Sequence, residues 1–389
     1  MSLKSRQAFG GTDPAELAAL VRNGYATWID TDESDGTPVA AHGAVLARAP
    51  IDTVFELVAD FEGAHKFIRA SRRNKILSRT GNEIVVRLRQ GIGLGILSIG
   101  LEEVFRLRLH PPTAITCEEY IKGSFTRATY EVLLHRVGPS ETLIVLSFLS
   151  DLGSLGRLAK LFFRHQPEVE FAASANILLV PLLAFVSEAE RRIGRETSRV
   201  EESVPLWEAV REGQIAPALR HGYVTAGRFN RGGEIHDVTC ATRLGASRSD
   251  VWKVVADTGQ LRDILPVVVG GQLLNQRDNQ LESELTCRVK IGPFTKHYTF
   301  RRQARFQKPD WIKATVASMN GHPVTQADYL FDDGPNTTVC HMYFTDMKTD
   351  WLSRIFLKSH PEFECVISAY PPTIVVRGFR LRFGAPRVG

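Results

Sequence analysis

The feature that most constrains this chain is that it repeats itself. Residues 49–60 (APIDTVFELVAD) lie over residues 246–257 (ASRSDVWKVVAD) at an offset of 197, and the register runs without a gap to the pair Ile115/Ile312. Along it Leu77 meets Leu274, Asn82 meets Asn279, Leu88 meets Leu285, Gly95 meets Gly292, Arg108 meets Arg305 and Pro112 meets Pro309. The flanks agree after small shifts: 23–27 (NGYAT) resembles 221–225 (HGYVT), and 165–170 (HQPEVE) resembles 360–364 (HPEFE). The matched positions are apolar, Gly and Pro positions that set a backbone, so the fold must be one the chain builds twice. The 389 residues divide into units 1–200 and 201–389, with the boundary in the charged stretch 191–202 (RRIGRETSRVEE).

Composition narrows the partners. With 43% hydrophobic and 23% charged residues each unit has enough apolar surface for a core. Lys+Arg 48 against Asp+Glu 43 gives +5, spread without a basic block, so no nucleic-acid partner is expected. The five cysteines are odd in number and lack CxxC or Cys/His spacing. With an N-terminus free of an apolar signal segment, they read as reduced thiols in a cytoplasmic protein. The longest apolar run, 172–186, has 15 residues and is interrupted by Asn176 and Pro181. A spanning helix needs about 20, so the run reads as a core helix. The alternative is a surface that dips into a membrane.

Each unit reads in the same order. A short helix (16–22; 206–220) precedes an alternating strand (39–48; 234–244), and a short amphipathic helix follows (51–60; 249–257). Six β-rich runs come next: 73–79, 83–90, 101–109, 114–120, 126–135 and 142–150 in unit one. In unit two they are 272–276, 281–289, 296–306, 312–317, 326–331 and 338–348. Helix closes each unit, at 155–164 and 167–193, then at 351–359 and from 361 onward. Pro181 should kink the first terminal helix unless it breaks there, and Pro371-Pro372 should interrupt the second. This is an α+β chain: two tandem domains, each an antiparallel sheet with its helices gathered on one face.

The opening Ala49-Pro50-x-x-x-Val54-Phe55-x-x-Val58-Ala59-Asp60, repeated as Ala246-Ser247-x-x-x-Val251-Trp252-x-x-Val255-Ala256-Asp257, resembles the START-like, or SRPBCC, superfamily. Leu265-Pro266 also fits that family, whereas unit one has Ile68-Arg69 there. The resemblance implies a helix-grip fold, a curved sheet around a long C-terminal helix, with an apolar cavity between them. It spans both halves and includes lipid, sterol and quinone carriers as well as polyketide aromatase/cyclases.

Period-two alternation nominates the cavity residues. In unit one these are Val86 and Leu88, then Glu103, Phe105 and Leu107, then Tyr130 and Phe148. In unit two they are Leu285 and Cys287, Phe300 and Arg302, then Tyr329, Met342 and Phe344. Glu103, Tyr130, Arg302 and Tyr329 are the polar positions that would orient a ligand. A one-residue slip would turn any of them to the other face. The glycine-rich stretch 91–100 (GIGLGILSIG) lacks a Lys-Ser/Thr and a following helix, so it is not a phosphate loop. It reads as a strand connection that could gate a pocket or touch a membrane. The repeated His-(Gln)-Pro-Glu-x-Glu segments read as helix starts. His360 and Glu364 are four apart with no third ligand, so no metal site is expected, and no cofactor is implied.

Three functions remain open at this point. The favoured one is binding or transfer of a hydrophobic small molecule (a lipid, isoprenoid, quinone or sterol), with at most a transient membrane contact. The second is a polyketide aromatase/cyclase-like enzyme, which needs few acid–base groups. The third is an interaction module whose pockets are filled by its own side chains, with Phe185 and Val186 packing on unit two.

Overall fold

The computed structural model describes residues 7–32, 36, 38–94, 97–150, 171–172, 175–195, 203–257, 259–265, 268–291, 294–317, 323–344 and 363–386. Unit one opens with a 3-10 turn (Ala8–Gly11) and helix α1 (Pro14–Leu20). Asp13 caps α1 by accepting from the Ala15 N–H at 2.6 Å, and Pro14 occupies the first turn. Strands β1 (Gly24–Thr31) and β2 (Pro38–Ala47) follow, then α2 (Ile51–Val58) with Pro50 as its cap. The meander runs β3 (Lys75–Thr80), β4 (Glu83–Leu94), β5 (Leu97–His110), β6 (Ala114–Gly123), β7 (Ala128–Gly138) and β8 (Glu141–Ser150), and α3 (Leu179–Arg192) closes the unit.

Unit two repeats this. Its leading helix is split into α4 (Leu206–Arg211) and α5 (Ala216–His221), not continuous over 206–220. Gly213, at φ 75°, makes the break. Then come β9 (Gly222–Phe229), β10 (Ile235–Leu244), α6 (Arg248–Ala256) and α7 (Leu261–Ile264). Ser247 caps α6, accepting from the Asp250 N–H. Strands β11 (Val268–Arg277), β12 (Gln280–Ile291), β13 (Phe294–Gln307), β14 (Trp311–Ala317), β15 (Pro323–Asp333) and β16 (Asn336–Phe344) precede α8 (Glu364–Phe383).

The repeat holds down to individual hydrogen bonds. The Leu109 N–H donates to the Asn82 carbonyl as Phe306 does to Asn279. The Thr142 hydroxyl caps the Ala49 carbonyl as Thr337 caps Ala246, each at 2.8 Å.

All sixteen strands form one antiparallel sheet, ordered β11-β12-β13-β14-β15-β16-β10-β9-β1-β2-β8-β7-β6-β5-β4-β3. The units are therefore welded edge to edge by β1 and β9, two strands that alternation did not reveal. Their register is self-complementary: Thr27 faces its repeat equivalent Thr225, and Tyr25↔Gly227 mirrors Ile29↔Tyr223. Gly227 is required there, because a Cβ would collide with the Tyr25 ring. The Trp28 indole donates to the Ala218 carbonyl at 3.1 Å, and the Thr31 hydroxyl to that of His221 at 2.8 Å.

Two layers cover the sheet. On the helix face α2, α3, α6 and α8 bury one cluster spanning both units. On the outer face the 3-10 turn, α1, α4 and α5 bury a second cluster around Phe9 and Trp28. Phe185 packs on Phe67 of its own unit, ring centroids 5.9 Å apart, and its helix α3 also touches α8 of unit two.

Several sequence expectations change. Residues 91–94 and 97–100 are not a loop but continue β4 and β5, with Gly91 facing Gly100. The chain turns at Ile177–Leu178, so α3 restarts with Pro181 in its first turn, where no N–H is needed. Pro371 and Pro372 do not interrupt α8, which passes through both. Its buried face holds the helix, and the Thr373 hydroxyl donates to the Ala369 carbonyl at 2.7 Å. Residues 155–164, 165–170 and 351–362 lie outside the described residues, as does the unit boundary at 196–202.

Candidate functional site on the helix face of unit two

Strands β12 and β13 pair Leu281 with Ala304, Ser283 with Arg302, and Leu285 with Phe300. One polar pair thus sits between two apolar pairs on the helix face. Arg302 is 2% exposed, and its Nε and Nη1 have no hydrogen-bond partner among the described residues. The fully buried Ser283 hydroxyl beside it has none among them either. A buried guanidinium with open N–H groups costs several kcal/mol in an apolar setting. Burial lowers its pKa, and the Asp328 carboxylate opposes that shift.

Asp328 and His341 supply the second element. Both are buried, and His341 Nδ1 lies 2.7 Å from Asp328 Oδ1. That bond commits Nδ1 and leaves Nε2 as the nitrogen for a ligand. On the adjoining strand Cys240 faces His341 in register, which sets Asp, His and Cys side by side. The thiol is not an activated nucleophile: burial pushes its pKa up to about 12. Leu285 and Cys287 pack under α7 against Leu261 and Leu265. Gly378 lets α8 approach the Ile264 carbonyl, which a Cβ would strike.

Unit one differs at the same register. Val86 pairs with Phe105 where unit two has Ser283 and Arg302. Its acidic group stands one pair along, where Leu88 meets Glu103. Glu103 is well satisfied: it accepts from the Tyr120 hydroxyl at 2.6 Å and the Ser124 N–H at 3.1 Å. Gly123 makes the room, since a Cβ would run into the Glu103 carboxylate and the Tyr120 hydroxyl. Burial nevertheless raises the Glu103 pKa. Val86, Leu88, Phe105 and Leu107 join the buried helix-face cluster, with Tyr130 and Phe148 packed against it.

Three nominated residues lie elsewhere. Tyr329, Met342 and Phe344 are on the outer face, not with Arg302. Tyr329 stacks on Trp207 of α4, Phe344 lies under the Lys313 ammonium, and Met342 alternates with His341. The repeat explains the error. Ile115 faces Val132 and Ile312 faces Asp328, so the offset there is 196. The pairing of Tyr130 with Tyr329 used 199, and an odd slip inverts a strand. Asp328 and His341, which the sequence reading missed, are the true counterparts of Val132 and Leu146. Arg380 of α8 is buried and donates to the Thr242 hydroxyl at 2.8 Å.

Strand order, the helices after β2 and β10, and α8 against β9, β10 and β16 give the chain a tandem α+β architecture, an antiparallel sheet with a long C-terminal helix laid against it. No family model matches the sequence, and no curated protein matches it. Among solved structures it is similar to the di-domain aromatase/cyclase StfQ of the steffimycin pathway, at 13% identity, 85% of this chain, 96% of that one and TM-score 0.28. The di-domain aromatase/cyclase BexL of the BE-7585A pathway matches at 12% identity over 90% and 99%, TM-score 0.31. A START superfamily protein from Mycobacterium smegmatis matches at 18% identity over 40% and 99%, TM-score 0.29. Likenesses of this grade say nothing of activity. Among the described residues no helix is long and apolar enough to cross a membrane.

Proposed function

We propose that unit two binds a hydrophobic small molecule, of lipid, isoprenoid, quinone or sterol type, on its helix face, and that Arg302 holds an oxygen of that ligand. The observation that carries this is the buried Arg302 guanidinium, whose Nε and Nη1 find no partner among the described residues and lie between the apolar pairs of β12 and β13. A carbonyl, enolate or carboxylate oxygen could accept from one of these N–H groups, and charge-assisted bonds of this kind are the strong ones. Leu285, Cys287 and Phe300 would contact the apolar body. Unit one, filled with Phe105 and Val86 at the same level, serves as packing in this reading.

Extraction of purified protein followed by mass spectrometry tests it. An oxygen-bearing hydrophobic compound should co-purify with the wild type and be lost from Arg302→Leu while that variant stays folded. If nothing extracts and neutral apolar probes fail to bind the helix face, the reading is wrong.

A second reading rests on the Asp328–His341 pair. A histidine oriented by a carboxylate is the arrangement of a general base, which in this setting would serve an aromatase/cyclase-like reaction on a bound polyketide chain. His341→Gln should then alter the product distribution from such a chain without changing its binding. An unchanged distribution leaves the binding role alone.

A further inference from the structure

The outer face of unit two carries a cavity, on the opposite side of the sheet from Arg302. In unit one α1 packs on β1, β2 and β7. In unit two α5 takes the matching place on β9 and β10, α4 packs on β10 and β16, and a groove of about 700 Å³ remains between α4, β14, β15 and the start of α6. That volume is within the usual range for small-molecule sites.

Its surface is aromatic. Trp207 of α4 lies nearly parallel to Tyr329 of β15, with ring centroids 5.3 Å apart and 15° between planes. Trp311 and Phe331 also line it, and all four rings are only partly buried. The rim charges are spent on one another. Arg248 bonds Asp310 at 2.8 Å and Asp332 at 2.6 Å, Arg243 pairs with Asp333, and Arg211 lies 3.7 Å from Glu212. Arg211 also sits 5.4 Å from the Trp207 ring centre. Three guanidiniums face four carboxylates, so the rim offers no excess positive charge to an anion.

We infer that this groove is a separate binding site for a neutral, flat aromatic or polycyclic compound, which stacks against Trp207 and Tyr329. Offset ring stacking adds to the burial of ring area, and the paired rim favours a ligand without charge. The site does not depend on the helix-face reading, since it uses none of those residues.

The test is a fluorescence titration with N-phenyl-1-naphthylamine, a neutral fused-ring probe, against 1-anilinonaphthalene-8-sulfonate, its anionic relative. The neutral probe should bind saturably with energy transfer from tryptophan, and more tightly than the sulfonate. Trp207→Ala should weaken it at least tenfold, and Arg302→Leu should leave it unchanged. Tyr329→Leu, which keeps an apolar partner under α4, decides the matter if Trp207→Ala does not fold. Tighter binding of the sulfonate, insensitivity to both ring substitutions, or loss of binding in Arg302→Leu would overturn the inference.

Discussion

The helix faces of the two units are the same lattice of strands holding opposite chemistry. At one register unit one places Val86 against Phe105, and unit two places Ser283 against Arg302. Further along, Val132 and Leu146 are replaced by Asp328 and His341. Unit one thus closes its interior with side chains and satisfies its one displaced acid, Glu103, locally. Unit two keeps its polar groups buried and leaves the guanidinium open. Duplication preserved the fold and let one copy carry an energetic burden that the other does not share.

The outer faces differ as well. Unit one stacks His42 on Trp28 with ring centroids 4.8 Å apart and bonds it to Ser147 at 2.7 Å. Unit two has Thr239 and Met342 at the equivalent places.

The largest effect should come from unit one's packing. Phe105→Ala should destabilise the protein by about 3–5 kcal/mol, because a ring is lost from a closed core. Chemical denaturation would measure it, and a loss below about 1 kcal/mol would mean that unit one is not closed there.

Acid should act through His42, whose pKa burial lowers to about 3. The unfolded chain binds this proton near pH 6.5 and the folded chain does not. The contribution is therefore complete above about pH 6.5 and declines as pH falls toward 3. The slope is about 1.4 kcal/mol per pH unit, or about 3 kcal/mol by pH 4.5. His42→Gln should flatten this part of the stability–pH curve, and an equal slope in both proteins would refute it.

Arg302→Leu should have the opposite sign to Phe105→Ala. Replacing an unpaired buried charge with an apolar group should leave stability unchanged or raise it by up to about 4 kcal/mol. A marked fall in thermal midpoint would show that the guanidinium is a structural partner rather than an open one.

The smallest effect belongs to Tyr120→Phe, which removes one donor from buried Glu103. A loss of about 1–2 kcal/mol is expected, with the Glu103 pKa moving further up in carboxylate NMR titration. No movement would mean that the hydroxyl does not hold the carboxylate.

Much of this was legible in the order of residues. The 197-residue repeat, the two short helices at Ile51 and Arg248, and the β12 and β13 faces all follow from periods of 3.6 and 2. Arg302 was identified as a polar position on an apolar face for the same reason. Tyr329 was misplaced because sequence alignment after the last ungapped pair cannot tell an odd shift from an even one. The hydrogen-bond ladder settles that, and it also exposed Asp328 and His341. The glycine-rich 91–100 segment looked like a loop because glycine has little strand propensity. Its cross-strand partners extend the ladder over residues 91–94 and 97–100.

By itself the sequence determined that this chain is two copies of one α+β unit, since a repeated pattern of apolar, Gly and Pro positions admits only a repeated backbone. The tertiary structure decided what the copies do to each other. The β1–β9 weld, the open Arg302 and the unfilled groove beside Trp207 all arise from contacts between distant segments. Such contacts depend on how each strand's register and each helix's placement close against the rest, which local periodicity does not encode.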